Sequence, residues 1–265
     1  MKQFIKNFKK YSFLLSQLVE KEIKLKYRNS YLGIIWTMLE PLLTMIVLAL
    51  VFSRLLGKNT QDFPVYILTG RLIYSFYSGS TNKALRSVRD HASMIKKVYV
   101  PKYMYPLASV FSNYVTFLIS LLVLVGVAAV RHVQPTHNLL QAIVPLVIVF
   151  GLAMGTGLIL SAAAVFFRDL EYLWGVAIMI IMYASAIFYR AEDVISDKNV
   201  WIFKLNPIFA CIDNFRSAVF GSPMDLTATA YSAGVAVLLI LFGGLFFWKN
   251  QDKFILHLWT PGTGL

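Results

Sequence analysis

The chain has 265 residues, 58% hydrophobic and only 14% charged, with a formal net charge of +12 and a mean hydropathy of +0.64. A soluble domain carries about 45–50% apolar and about 25% charged residues, so this composition excludes an ordinary water-soluble globule and predicts an all-α integral membrane protein. A single cysteine, Cys211, argues against an intrachain disulfide framework or a cysteine-built metal site, and the four histidines show no ligand spacing.

Residues 1–33 form a basic amphipathic segment. Phe4, Phe8, Tyr11, Leu15 and Leu18 recur at steps of four and three on one helical face, while Lys2, Lys6 and Lys10 fall elsewhere. Lys6, Lys9 and Lys10 interrupt the first apolar run, which argues against a cleavable signal peptide. The pattern predicts a helix in the cytoplasmic interface, its cations near anionic headgroups, or an ordinary juxtamembrane anchor. Glu20–Lys24 and Glu22–Lys26 are spaced for i,i+4 pairing along it.

A transmembrane helix needs about 20 mainly apolar residues to cross about 30 Å of hydrocarbon. Six stretches are predicted to cross: Ile34–Phe52, Phe63–Ser80, Tyr105–Val130, Leu139–Phe167, Tyr172–Tyr189 and Leu226–Trp248. Residues 34–248 then make one transmembrane domain, and 249–265 a cytoplasmic tail whose Pro-Gly-Thr-Gly run predicts flexibility. The first span carries Glu40-Pro41 and the second Gly70-Arg71 at its middle. The second and fifth are the shortest and richest in aromatics, which predicts that they face protein or a pathway rather than lipid. The fourth holds Gly151, Gly155 and Gly157, then Ser161 to Ala164. Small residues four apart let backbones approach closely, and tight packing inside one subunit is preferred over a dimer contact.

Orientation follows from the Lys/Arg bias. Seventeen of these cations fall in the N-terminal segment, the 83–103 connection, Arg168 and the tail, against seven on the other side and Arg71 within a span. Both termini are therefore predicted to be cytoplasmic. Because the cations flank spans, the basic charge is read as a topology signal and not as a nucleic-acid surface. The connection 83–103 is long for a bundle. Val88, Ala92 and Ile95 make a short apolar stripe among its basic residues, read either as a docking element for a cytoplasmic partner or as a cationic topology anchor. The external segment 190–225 is too apolar for a free loop. Asn206-Pro207 supplies an N-cap and a first-turn proline, and Gly221 a stop, around a helix with Ile208, Ile212, Phe215 and Val219 on one face and Asp213 and Arg216 on another. At about 14 residues it is too short to span, so it lies in the outer interface or re-enters the bilayer.

No phosphate-binding loop, H-E-x-x-H or G-x-S-x-G is present; the Gly57-Lys58 pair is followed by Asn59. No catalytic residue, metal site or cofactor is therefore assigned to this chain. The stretches KLKYRNSYLGIIWTMLEPLLTMIVLALVF from Lys24, MIKKVYVPKYMYPL, FFRDLEYLW and KLNPIFACIDNFRSAVFG follow one another in order along the six-span pattern. With these motifs the chain resembles the permease subunit of bacterial ABC exporters of lipid-linked polysaccharides, namely O-antigen, capsule and teichoic-acid transporters, from about Glu20 to Trp248. The resemblance implies a half-transporter in the bacterial plasma membrane. It pairs with a second copy of itself and with two cytoplasmic ATPase subunits that carry ATP and Mg. It also assigns a coupling helix to the 83–103 connection, with Arg86, Val88, Arg89, Ala92, Ile95, Lys96 and Lys97 as contact residues. Lys24, Lys26, Arg28, Gly33, Arg168 and Asp169 make the cytoplasmic approach, and Asn206, Pro207, Arg216 and Gly221 belong to the external re-entrant helix. Two positions depart from the family pattern: Ala184-Ser185-Ala186 stands where Ser-Pro is common, and Arg71 where an apolar residue is usual.

A glycan path needs walls that touch each sugar weakly, and aromatic faces suit this. Tyr66, Tyr74, Phe76, Tyr77, Tyr183, Phe188 and Tyr189 are the candidates, with packing or an interfacial aromatic belt as the other reading. Arg71 is the unexpected charge. An arginine at a helix centre costs at least about 2.5–3.5 kcal/mol on insertion scales, so it contacts a phosphate of the lipid carrier or polymer, or pairs internally with Glu40. Two other functions stand beside the polysaccharide exporter: a related permease for drugs or lipids, and a membrane-embedded glycan transferase.

Overall fold

The computed structural model describes residues 2–55, 62–95, 97, 100–134, 136–189, 203 and 205–254, without the side chains of 2–10, 54 and 55. Among the described residues the fold is all helical: α1 (Lys2–Tyr27), α2 (Trp36–Leu55), α3 (Phe63–Asp90), a short α4 (Ala92–Ile95), α5 (Met104–Val130), α6 (Ile143–Phe166), α7 (Leu170–Tyr183), α8 (Pro207–Phe220) and α9 (Leu226–Asn250). Lys96, the stretch 190–202 and the tail 259–265 lie outside the described residues.

Among the described residues four helical segments are long and apolar enough to cross a membrane: Gly33–Ser53, Met104–Val130, His137–Phe166 and Leu226–Lys253. The six-span expectation is met only in part, and the two shortfalls have different causes. The helix α3 has 28 residues, about 42 Å at 1.5 Å per residue, but carries Arg71, Lys83, Arg86 and Arg89. It is the central helix, packed against α2, α5, α6 and α8, with Ile67, Leu68, Ile73 and Leu85 at most 1% exposed. A helix walled by protein does not need lipid-grade hydropathy. The helix α7 is apolar, but its 14 residues reach only about 21 Å. The 83–103 connection is also less of a loop than its charge implies. Helix α3 continues through it to Asp90, and Val88 and Ile95 point into an intramolecular cluster with Leu15, Leu18 and Phe247.

The glycines of the fourth predicted span act within the subunit, as expected. A Cβ on Gly155 would sit 2.5 Å from the backbone carbon of Leu239, and one on Gly243 would sit 2.6 Å from the Gly155 carbonyl oxygen. These two glycines let α6 and α9 cross in near backbone contact.

The helix α1 turns its Tyr11–Leu15–Leu18 face toward α5 and the end of α3. A buried carboxylate extends that face. Glu22, 8% exposed, accepts from Ser109 Oγ at 2.9 Å and Ser112 Oγ at 2.7 Å and pairs with Lys83 Nζ at 2.7 Å. The expected Glu20–Lys24 pair forms at 2.6 Å. The expected Glu22–Lys26 pair does not, because Glu22 faces inward and Lys26 lies over the Tyr27 ring. Gly33, at φ +51°, makes the left-handed step from α1 into α2. At the other end, Phe254 is fully buried against Phe247 and Phe166. Beside it, Lys102 donates to the Gln251 carbonyl. Burial pushes the Lys102 ammonium below its ordinary range, against the pull of Asp252.

Glu22→Ala removes two charge-assisted hydrogen bonds and the Lys83 pair. Since Lys83 is partly solvated, the expected loss is about 2–3 kcal/mol, concentrated in α1 docking. Hydrogen exchange should show faster exchange across 11–27 while α5 and α6 stay protected.

Candidate functional site

After Tyr183 the backbone leaves helical geometry, and Ala186 takes φ +45°. The chain breaks here without the expected proline, so it is tied from outside. Asn206 Nδ2 donates to the Ala184 carbonyl at 3.1 Å and to Ser185 Oγ at 3.0 Å, while its Oδ1 caps Ile208 N at 3.0 Å. Pro207 opens α8 and Gly221, at φ +79°, ends it, as read from the sequence.

Arg216, which its helical position set with Asp213 apart from the Ile208–Val219 face of α8, is buried at 4% exposure. Its Nη1 donates to the Ala186 carbonyl at 3.1 Å and Tyr66 Oη at 2.9 Å; its Nη2 donates to the Ile187 carbonyl at 3.1 Å and the Tyr66 carbonyl at 3.3 Å. The guanidinium also lies 3.6 Å from the Tyr66 ring centroid. Tyr66 Oη in turn donates to the Tyr189 carbonyl at 3.0 Å. Backbone without helical bonds is tolerated at membrane depth only where protein satisfies it, and Arg216, Asn206 and Tyr66 do so here. Gly70 makes room: its Cβ would fall 2.7 Å from Arg216 Nη2.

Most aromatic path candidates lie inside the subunit. Tyr74 donates to the Ile178 carbonyl at 3.1 Å, Tyr77 shares a hydrogen bond with Thr156, Phe76 stacks on Phe117, and Phe188 stacks on Phe52. All four are below 9% exposed. The Tyr189 hydroxyl turns back to the Tyr183 carbonyl. Tyr183 alone among the seven is well exposed, at 57%.

A polar cavity of about 210 Å³ opens between α2, α3 and α5. Lys26, Glu40 and Arg71 bring charge to it, and Thr37, Thr44, Ser75, Asn113, Thr116 and Ser120 bring hydroxyls and an amide. The expected Arg71–Glu40 ion pair is not formed; the guanidinium lies 5.8 Å from the Tyr74 ring centroid instead.

On the cytoplasm-predicted side, Arg86 and Arg89 both pair with Glu171 at the start of α7, the latter at 2.7 Å. Glu171 lies two residues past Asp169, and its partner role was not read from the sequence. It links the end of α3 to the exposed Arg168-Asp169 turn. Lys24, Lys26, Arg28 and Lys97 are exposed, and Ala92 is half-buried.

A family profile described as ABC-2 type transporter matches residues 14–220. The chain is 27% identical over 245 residues to the O-antigen export system permease protein RfbA of Klebsiella pneumoniae, covering 91% of this chain and 93% of that one. It is 25% identical to the protein of that name from Myxococcus xanthus, over 96% of this chain and 98% of the other. It is 22% identical to the polysialic acid transport protein KpsM of Escherichia coli, over 89% and 92%.

Proposed function

The chain belongs to the ABC-2 type transporter family. On that premise we propose that it is the transmembrane subunit of an ATP-driven exporter carrying a lipid-linked polysaccharide, of O-antigen, capsule or teichoic-acid type, across the bacterial plasma membrane. The observation that carries this reading is near end-to-end similarity to O-antigen export permeases. Two copies form the path, and two separate ATPase subunits bind ATP and Mg. The chain crosses six times with both termini in the cytoplasm. α2, α3, α5, α6 and α9 account for five crossings, and α7 with its irregular continuation makes the other. α8 is the external re-entrant helix, and α1 lies along the cytoplasmic interface.

Within this reading the aromatic path narrows to the exposed Tyr183, and Arg71 and Glu40 serve the polar cavity. The buried aromatics instead hold the wall rigid. The ATPase grips the cytoplasmic end of α3 with α4, where Arg86, Arg89, Lys96 and Lys97 offer charge and Ala92 a small contact. Val88 and Ile95 hold this end onto the bundle.

The direct test is to co-purify the chain with its ATPase and to measure hydrolysis with an undecaprenyl-linked glycan. Stimulation of hydrolysis is the expected result. Absence of any ATPase partner sinks the exporter reading, and a partner indifferent to glycan lipids sinks the substrate class. Glu171→Ala probes the coupling path. Surface pairs contribute at most about 1 kcal/mol, so thermal stability should barely move while glycan-stimulated hydrolysis falls several-fold.

A further inference from the structure

We propose that the cavity between α2, α3 and α5 binds the phosphate-bearing, hydroxyl-rich head group of an amphiphile, with Arg71 and Lys26 as its cation contacts. Lys26, Glu40 and Arg71 converge on one cavity, yet none of their side chains has an ion pair or hydrogen bond to another described residue. The buried charges Glu22 and Arg216, by contrast, are matched inside the fold, the first by Lys83 and two serines, the second by three carbonyls and a tyrosine. Here Arg71 is partly buried with the Tyr74 ring beside it, while Lys26 and Glu40 are exposed and line the same cavity, so the three charges are accessible to a ligand.

The chemistry of the lining selects the ligand. Two cations against one carboxylate leave a net positive charge, which suits phosphate. Thr44 and Ser75 offer hydroxyls that a sugar or glycerol engages, and Thr37, Thr116, Ser120 and Asn113, which donate to backbone carbonyls, offer their side-chain oxygens as acceptors. Glu40 accepts from a ligand hydroxyl. The volume of about 210 Å³ admits a head group and not a polymer. Leu43 and Val47 of α2 lie within two turns of Glu40 and Thr44 and are 49% and 58% exposed, giving an apolar chain a surface to follow. Two lipids share this chemistry: a polyprenyl diphosphate sugar, which rests on the exporter reading, and phosphatidylglycerol, which does not.

The test uses the full chain in phosphatidylcholine nanodiscs, titrated by native mass spectrometry with phosphatidylglycerol and with a polyprenyl diphosphate-linked N-acetylglucosamine. Arg71→Gln and Lys26→Gln are expected to weaken binding about tenfold, and Arg71→Lys to retain most of it. Glu40→Gln is expected to tighten binding, a charge-sign signature that mere misfolding would not give. Preferential binding of the sugar lipid identifies the site with the substrate; binding of phosphatidylglycerol alone identifies a resident-lipid site. The proposal fails if Arg71→Gln and Lys26→Gln bind both lipids like the unaltered chain, or if Glu40→Gln weakens binding as they do. ATPase association measured on the same samples separates the readings, since its loss bears on the exporter and not on the cavity.

Discussion

Arg216→Ala is expected to destabilise the protein by about 3–5 kcal/mol, the range for stripping one partner from a buried charged hydrogen-bond set. Among the described residues one side chain supplies four hydrogen bonds, two of them to the Ala186 and Ile187 carbonyls that lie outside any helix. Without it those oxygens face an apolar interior, and each buried acceptor left unmatched costs about 1–3 kcal/mol. Arg216→Lys should recover little, because a single ammonium cannot span two carbonyls and a phenol as the guanidinium fork does. Gly70→Ala is a milder form of the same lesion, since the new methyl group meets Arg216 Nη2 at 2.7 Å. The measurement is the rate of irreversible thermal inactivation in detergent, because such proteins unfold under kinetic control. An unchanged rate in Arg216→Ala would mean that the irregular 184–189 segment is satisfied by other groups.

This dependence was hidden in the sequence for a physical reason. Helical position placed Arg216 with Asp213 apart from the apolar face, but its partners lie 30 and 150 positions away in the chain, and local periodicity carries no trace of them. The same holds for Glu22, whose i,i+4 spacing to Lys26 pointed to a surface pair while α5 supplied two serines instead. Hydropathy reports the solvent a helix needs, so α5 and α9 were legible nearly to the residue: Tyr105 against Met104, and Leu226 in both. For α3, whose solvent is other helices, it found the start at Phe63 but not the charged end, which runs on as helix to Asp90 and read as a loop. Local chemistry did better at the ends of α8, because the Asn206-Pro207 cap and the Gly221 stop act within one turn. At the polar cavity, sequence singled out Glu40 and Arg71 one by one. Their meeting with Lys26 and a set of hydroxyls required four helices to be placed.

Gly155→Leu is expected to be the most disruptive single change in the long helices. Even a methyl group at this position would stand 2.5 and 2.6 Å from backbone atoms of Leu239 and Ile240, where no flexible side chain can yield. Inserting extra methylenes into a packed core costs about 1–3 kcal/mol when neighbours can shift. Here α9 itself must move, so Gly155→Ala should already lie at the upper end of that range and Gly155→Leu beyond it. Gly243→Ala attacks the same crossing from the other helix, its methyl meeting the Gly155 carbonyl at 2.6 Å. Because one displacement of α9 relieves both clashes, the double alanine variant should cost less than the sum of the singles. Gly234→Ala and Gly244→Ala are the controls: nothing lies within 4 Å of either added carbon, and alanine favours helix over glycine by about 1 kcal/mol. Thermal stability should therefore fall at 155 and 243 and hold or rise at 234 and 244. A uniform response at all four positions would mean that glycine matters to these helices for flexibility and not for the crossing. Since α8 leans on α9 through Asn214, Thr229 and the Asp225 backbone, a shifted α9 also carries the Arg216 site with it. Export should then fail in Gly155→Leu even where some protein remains folded.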